Sequence, residues 1–230
     1  MSAVTWVAGS NGGIGRACVE VLEGCGKTVI GTDLPDVDVT VPGGNELAVR
    51  AATDGGRVLV GAVHAIGMSG RRLGDGAVSE CTDEAWDEVL RVNLTSVFRF
   101  LRAALPQVAD GGSIVVIGSA LASTLDNDFM TTAYRVAKAG IVPLVEAAAH
   151  EAAPRGVRVN VVAAGLVQTP MAARALTDPR ITSRFPELMP LGGRAVTADE
   201  VAQAVAWLLS DASGRTTGSV VPVDGGWTLR

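Results

Sequence analysis

The sequence predicts an α/β domain built as one doubly wound parallel sheet of about seven strands with helices on both faces. Three observations carry that expectation. The strand candidates are short, β-branched apolar runs with little polar alternation, the pattern of strands buried on both faces. Helical stretches set off by Gly, Pro and Asp alternate with them along the whole chain. A length of 230 residues with 48% hydrophobic composition suits one large core, and no linker, repeat or low-complexity tract divides it. Residues 1–230 therefore read as a single domain.

The first strand covers residues 4–8 and runs into a glycine cluster that opens a helix over 13–25. The second covers 29–33 and ends on Asp33. Between it and a helix over 45–54 there is room only for a short strand at 37–39, so a crossover helix is trimmed away. Strands at 58–63 and 114–117 flank a long helical stretch over 83–107. A helix over 132–153 then leads to a strand at 157–162, and a helix over 198–210 with a strand at 220–221 completes the alternation. This order implies right-handed crossovers. Residues 166–197 break the rhythm, because Pro170, Pro179, Pro186 and Pro190 interrupt both periods. A long irregular segment in a compact domain suggests a lid over a binding site.

The net charge of −5 argues against a nucleic-acid or anionic-membrane binder. Cys18, Cys25 and Cys81 are too few and too scattered for a disulfide framework, and no Cys/His spacing resembles a metal site. Reduced thiols point to the cytoplasm. The apolar stretch over 3–8 is too short for a signal peptide, and nowhere do 18 uncharged apolar residues run together.

Gly9, Gly13 and Gly15 follow the first strand and lead into a helix. Without Cβ atoms there, the backbone could approach a pyrophosphate while the helix N-terminus supplies amide donors. Asn11 and Ile14 lie in the same loop and are further candidate contacts. The absence of Gly-Lys-Ser/Thr excludes an NTPase P-loop. Asp33, about 20 residues on, could accept from both hydroxyls of an adenosine ribose and would repel a 2′-phosphate, which favours NAD over NADP. Leu34, Asp38 and Val39 would bound the adenosine end.

The chain has a single tyrosine, Tyr134, four residues before Lys138, one of only two lysines. On a helix these side chains share a face. A nearby ammonium would lower the phenol pKa and let the pair exchange protons near neutral pH. Ser119, after the strand at 114–117, falls on the carboxyl edge of the sheet, where its hydroxyl could orient a substrate oxygen.

Together these residues resemble the short-chain dehydrogenase/reductase family, a Rossmann-type fold, across nearly the whole chain. The resemblance rests on Gly9/Gly13/Gly15, Asp33, Asn93, Ser119, Tyr134 and Lys138, the run 165–170 and the run 223–226. It implies that Ser119 steadies the substrate oxygen, Tyr134 transfers its proton, and Lys138 binds the nicotinamide ribose and tunes the tyrosine. Asn93 would hold a relay water. Gly165, Val167 and Thr169 would meet the nicotinamide, and His64, Ala65 and Gly67 would support the adenine side, where the family usually has Asn-Asn-Ala-Gly. The interval from Ser119 to Tyr134 is about two residues longer than usual, with Ser123 as the fallback. The resemblance also implies a homo-oligomer, a tetramer or dimer, paired through the helices at 83–107 and 132–153.

Leu121, Leu166, Met171, Phe185, Leu188 and Met189 suggest an apolar pocket for a hydrophobic, alicyclic or steroid-like secondary alcohol or ketone. The expected activity is NAD(H)-linked interconversion of the two. A dinucleotide-binding regulator without turnover is the alternative, though it would need no proton path. An enoyl reductase of related fold would carry its tyrosine seven residues before the lysine, where Thr131 stands. A hydrolase lacks the Gly-x-Ser-x-Gly elbow.

Overall fold

The computed structural model describes residues 2–229. Six parallel strands form one sheet in the order β2-β1-β3-β4-β5-β6. They are β1 (Ala3–Ala8), β2 (Thr28–Thr32), β3 (Val58–His64), β4 (Ser113–Ser119), β5 (Arg158–Ala164) and β6 (Val220–Val223). The helices in chain order are α1 (Gly13–Gly24), α2 (Gly44–Thr53), α3 (Asp83–Leu90), α4 (Ser96–Ala104), α5 (Thr132–Ala152), α6 (Ala173–Thr177), α7 (Pro179–Thr182), α8 (Phe185–Leu188) and α9 (Ala198–Leu208). Among the described residues no helix is long and apolar enough to cross a membrane.

The apolar runs make central strands because successive side chains point to opposite faces and both faces are covered. Every residue of β4 and β5 is buried. From β4, Ile114 and Val116 enter a core shared with α2, α4 and α5, while Val115 and Ile117 enter a second core beneath α1 and α9. Arg158 at the start of β5 is buried too, its guanidinium donating to the carbonyls of Leu208 (2.7 Å) and Ser210 (3.1 Å) at the end of α9. A cation at a helix C-terminus satisfies carbonyls that have no partner within the helix.

The sheet has six strands rather than about seven, and the difference lies at 37–39. That segment is a turn, because its polar groups are satisfied locally and by side chains rather than by a neighbouring strand, the Val37 amide donating to the Asp33 carbonyl at 3.1 Å. The Asp38 carboxylate accepts from the Thr40 amide (2.8 Å) and hydroxyl (2.6 Å), and the Asn45 amide donates to the Val39 carbonyl at 2.7 Å. Arg91 reaches the Thr40 hydroxyl at 2.7 Å, and Arg99 donates to the Thr40 carbonyl. The Val39 side chain is buried in the core and its carbonyl is occupied by Asn45.

The helical stretch expected over 83–107 is two helices joined by a wider π-type turn over 91–95. The 166–197 segment is not structureless but holds α6, α7 and α8. Its apolar residues Leu166, Ile181, Leu188 and Met189 form a small core of their own with Phe129 and Trp227. Arg184 ties this segment to the 126–128 loop, pairing with Asp126 at 2.7 Å and with Asp128.

Candidate active site

Strand order reverses direction at β1, whose two neighbours are β2 and β3, and the carboxyl end of such a crossover point is where open α/β sheets take ligands. A cleft of about 610 Å³ opens on this edge, lined by Ile14, Gly67, Ser119, Tyr134, Lys138 and Thr169 among others.

The glycine loop is shaped by close approach. Gly9 has φ of +86°, and a Cβ on it would lie 2.8 Å from Ile66 Cγ1. A Cβ on Gly13 would sit 2.6 Å from Thr169 Cγ2, and one on Gly15 would sit 1.9 Å from the Gly9 carbonyl oxygen. Gly12 caps α1 without a side chain, so no capping group of its own covers the first-turn amides. An uncapped 12-residue helix behind a tight glycine turn fits a pyrophosphate. Asp33 orders the rim of the loop, its carboxylate accepting from the amides of Asn11 and Leu34, both at 2.8 Å. Those bonds use two of roughly four acceptor sites on a carboxylate, so ribose hydroxyls can still be bound.

Ser119 ends β4 and Tyr134 begins α5, and their hydroxyls meet on one wall of the cleft. Burial pushes the phenol above its usual pKa, and the hydrogen bond to Ser119 partly pulls it back. Lys138, one turn on, is only 4% exposed, and burial lowers its pKa to about 8. Its Nζ lies 5.9 Å from the Tyr134 ring centroid and donates to the Ile117 carbonyl at 2.9 Å. The expectation that the ammonium lowers the phenol pKa is therefore not met in this structure. Ser123 does not line the cleft and bonds to the Ala120 carbonyl at 3.3 Å.

Asn93 is fully buried in the π-type turn. Its amide group bonds the main chain of Met68 in both directions, each at 3.0 Å, which pins the turn next to Gly67. A Cβ on Gly67 would lie 2.9 Å from Asn93 Oδ1 and 3.5 Å from Lys138 Nζ, so the two side chains converge there.

The cleft also takes in Ala65, Leu121, Gly165, Leu166, Val167 and Met171. Several expected contacts lie elsewhere. The His64 side chain is fully buried beside Phe100, bonded to Ser96 at 3.0 Å, and is absent from the cleft wall. Asp38 holds Thr40, as described above. Leu188 and Met189 are wholly buried inside the 166–197 segment and Phe185 packs against them, so these three support the wall without lining it.

Sequence reasoning missed Phe129, Trp227, Arg71, Arg72 and Arg174 in the lining. Trp227 had a signal available, since it follows the Asp224-Gly225-Gly226 run. Asp224 accepts from the amides of Gly226 (2.9 Å) and Thr228 (2.8 Å), which folds the chain end over the cleft.

Known proteins resemble this chain in sequence and in fold. A family model described as enoyl-(acyl carrier protein) reductase matches residues 34–228. The 3-oxoacyl-(acyl-carrier-protein) reductase of Escherichia coli is 32% identical over 243 residues, covering 97% of this chain and 96% of its own. A putative ketoacyl reductase of the monensin polyketide synthase from Streptomyces virginiae is also 32% identical, over 258 residues, covering 98% and 97%. Among solved structures, an aldohexose dehydrogenase from Thermoplasma acidophilum superposes with a TM-score of 0.85 at 27% identity, covering 100% of this chain and 95% of its own. A short-chain dehydrogenase/reductase from Mycobacterium ulcerans superposes with a TM-score of 0.87 at 28% identity, covering 100% and 90%. Matched over most of its length by the family model and end to end by these relatives, the chain belongs to the short-chain dehydrogenase/reductase family of oxidoreductases.

Proposed function

We propose that this protein is an NAD(H)-dependent oxidoreductase that interconverts a secondary alcohol and a ketone. The observation that carries the reading is the meeting of the Ser119 and Tyr134 hydroxyls on the cleft wall, beside a glycine loop built for close approach. A nicotinamide dinucleotide, when bound, supplies or accepts the hydride. Ser119 holds the substrate oxygen, and Tyr134 gives it a proton in reduction and takes one back in oxidation. Lys138, whose pKa falls to about 8, sits behind the tyrosine to replace that proton and to bind the ribose. Asn93 keeps the turn at Gly67 in place for this arrangement and holds a relay water. Gly9, Gly13, Gly15, Asn11 and Ile14 cradle the pyrophosphate, and Gly165, Val167 and Thr169 face the nicotinamide.

Asp33, with Leu34 beside it, supports NAD over NADP, because a carboxylate already fixed at the loop rim would repel a 2′-phosphate. The names of the Escherichia coli and Streptomyces relatives favour ketone reduction. Thr131 stands seven residues before Lys138, so the site lacks a phenol where an enoyl reductase would place one. Leu121, Leu166, Met171, Phe129 and Trp227 suit a hydrophobic carbonyl end. The free thiols of Cys18, Cys25 and Cys81 suit the cytoplasm, and exposed apolar residues on α3, α4 and α5 suit a homo-oligomer.

The test is coenzyme-linked turnover over a diverse panel of ketones and alcohols, with NAD(H) and NADP(H) compared directly. Tyr134→Phe should reduce turnover by at least about a hundredfold while leaving dinucleotide affinity nearly unchanged. A normal rate in that variant removes the tyrosine from the reaction. Tight dinucleotide binding with no turnover on any substrate establishes the regulator instead.

A further inference from the structure

The cleft carries positive charge that proton and hydride transfer do not use. Arg71 and Arg72, on the turn after β3, and Arg174, in α6, line the same cavity as Ser119 and Tyr134. Arg71 and Arg174 come from separate walls, yet both donate to the main-chain carbonyl of Asp128, at 3.1 and 2.9 Å. Like charges held this close repel, and burial together with Arg174 lowers the Arg71 pKa. Among the described residues none of the three arginines forms an ion pair within 4.0 Å, although Asp75 attracts Arg71 and Asp178 attracts Arg174 at longer range, and the Arg174 guanidinium lies 6.0 Å from the Phe129 ring centroid. Neighbouring acids are already engaged: Arg184 holds Asp126 and Asp128, and Asp75 accepts from the first amides of α5.

Clamping the 126–129 loop explains only part of this arrangement. A guanidinium has five N–H donors, and the Asp128 contact uses one nitrogen of each arginine. The planar fork matches a carboxylate or phosphate, which accepts two bonds at once. Two such forks from the cleft lining, meeting in exposed hydrogen bonds at one carbonyl beside the apolar surface of Leu121, Phe129, Met171 and Trp227, make a receptor for negative charge.

We propose that the substrate carries an anionic group, a carboxylate or a phosphate, held by Arg71 and Arg174 with Arg72 adding charge beside them, while its carbonyl lies at Ser119 and Tyr134. The inference rests on the oxidoreductase reading and narrows its substrate to an apolar ketone or alcohol with a remote negative charge.

The experiment measures kcat/KM with the reduced coenzyme over oxo acids of increasing chain length and their methyl esters. A 3-oxoacyl pantetheine thioester, with and without its 4′-phosphate, forms the second arm. In the best-matched pair the anion should exceed its neutral partner by at least about tenfold, mainly through KM, and the gap should shrink at high salt. The arm with the larger gap separates carboxylate from phosphate. In R71A/R174A the ratio should fall toward one, and in R71K/R174K, which keeps the charge, part of it should remain. Ketone turnover with no preference for any anion overturns the anion site and leaves the oxidoreductase reading standing.

Failure of all turnover overturns that reading instead. Calorimetry of the coenzyme-loaded protein with decanoate and with methyl decanoate then tests the charge directly. Preferential binding of decanoate that disappears in R71A/R174A supports the site, and equal binding overturns it.

Discussion

At the scale of single residues, the most informative side chain is one that the sequence placed in the wrong setting. His64 ends β3, and the family resemblance implied that it supports the adenine side. Position along a strand does not say which face a side chain takes, and here the ring enters the core beside Phe100. Ser96 Oγ lies 2.6 Å from the Val92 carbonyl and donates its one proton there, so it must accept from His64 Nε2. The ring is then the neutral Nε2–H tautomer. Burial, with Lys138 nearby, lowers its pKa to about 3. Between an unfolded value near 6.5 and the folded value, only the unfolded chain takes up this proton, so stability is lost as pH falls through that window. His64→Gln should flatten the acid limb by up to about 1.4 kcal/mol per pH unit, read from urea unfolding at several pH values. Parallel stability curves for the two proteins would mean that the buried ring does not resist protonation. That Tyr134 and Lys138 lie side by side was legible for the opposite reason, because a four-residue spacing on one helix is local.

At the scale of elements, the helix that carries Tyr134 and Lys138 was readable in extent but not in support. The helical stretch read between Gly, Pro and Asp punctuation, 132–153, ends within a residue of the observed Thr132–Ala152. Its first turn, however, has no side-chain cap from Thr131. The cap comes from Asp75, which accepts from the Ala133 amide at 2.9 Å and the Tyr134 amide at 3.0 Å. The Gly76 carbonyl beside it accepts from the Thr132 hydroxyl at 2.8 Å. Asp75 is 5% exposed and lies 58 positions upstream of Ala133, so no local pattern could have marked it. A carboxylate at a helix N-terminus satisfies orphan amides and opposes the dipole. Here it also fixes the backbone of Tyr134, the proposed proton donor. Asp75→Ala should cost about 1–2 kcal/mol of stability. It should also lower kcat more than coenzyme affinity, because the phenol loses its seat while the glycine loop is untouched. Urea unfolding and initial rates check the two effects. An unaltered kcat in a destabilised variant would assign Asp75 to folding alone. The π-type turn was hidden similarly, since the break at 91–95 is secured by Asn93 reaching the main chain of Met68.

At the scale of the whole molecule, the parallel sheet was legible because β-branched runs without polar alternation have few other ways to be buried. The missing strand was not, because in Val37-Asp38-Val39 the acid is flanked by valines, yet the Val39 carbonyl is taken by Asn45 of α2 and the adjoining Thr40 by Arg99 of α4 and Arg91 of the turn at 91–95. What the sheet and its layers leave outside bears on assembly. Trp86 on α3, Phe98 on α4 and Val136 on α5 are 39%, 47% and 43% exposed, on helices that pack together over one face of the sheet. Large apolar side chains on one layer are costly to leave in water, and a second copy of the chain would cover them. Light scattering should therefore give the mass of a dimer or tetramer. Phe98 also lies 5.3 Å from the Arg102 guanidinium, so its ring is held on the surface by a cation. Phe98→Glu places a charge where the ring would be covered, and it should lower the assembled mass without shifting the unfolding midpoint at low protein concentration. The mass of one chain for the unaltered protein would mean that these residues face solvent in the working molecule.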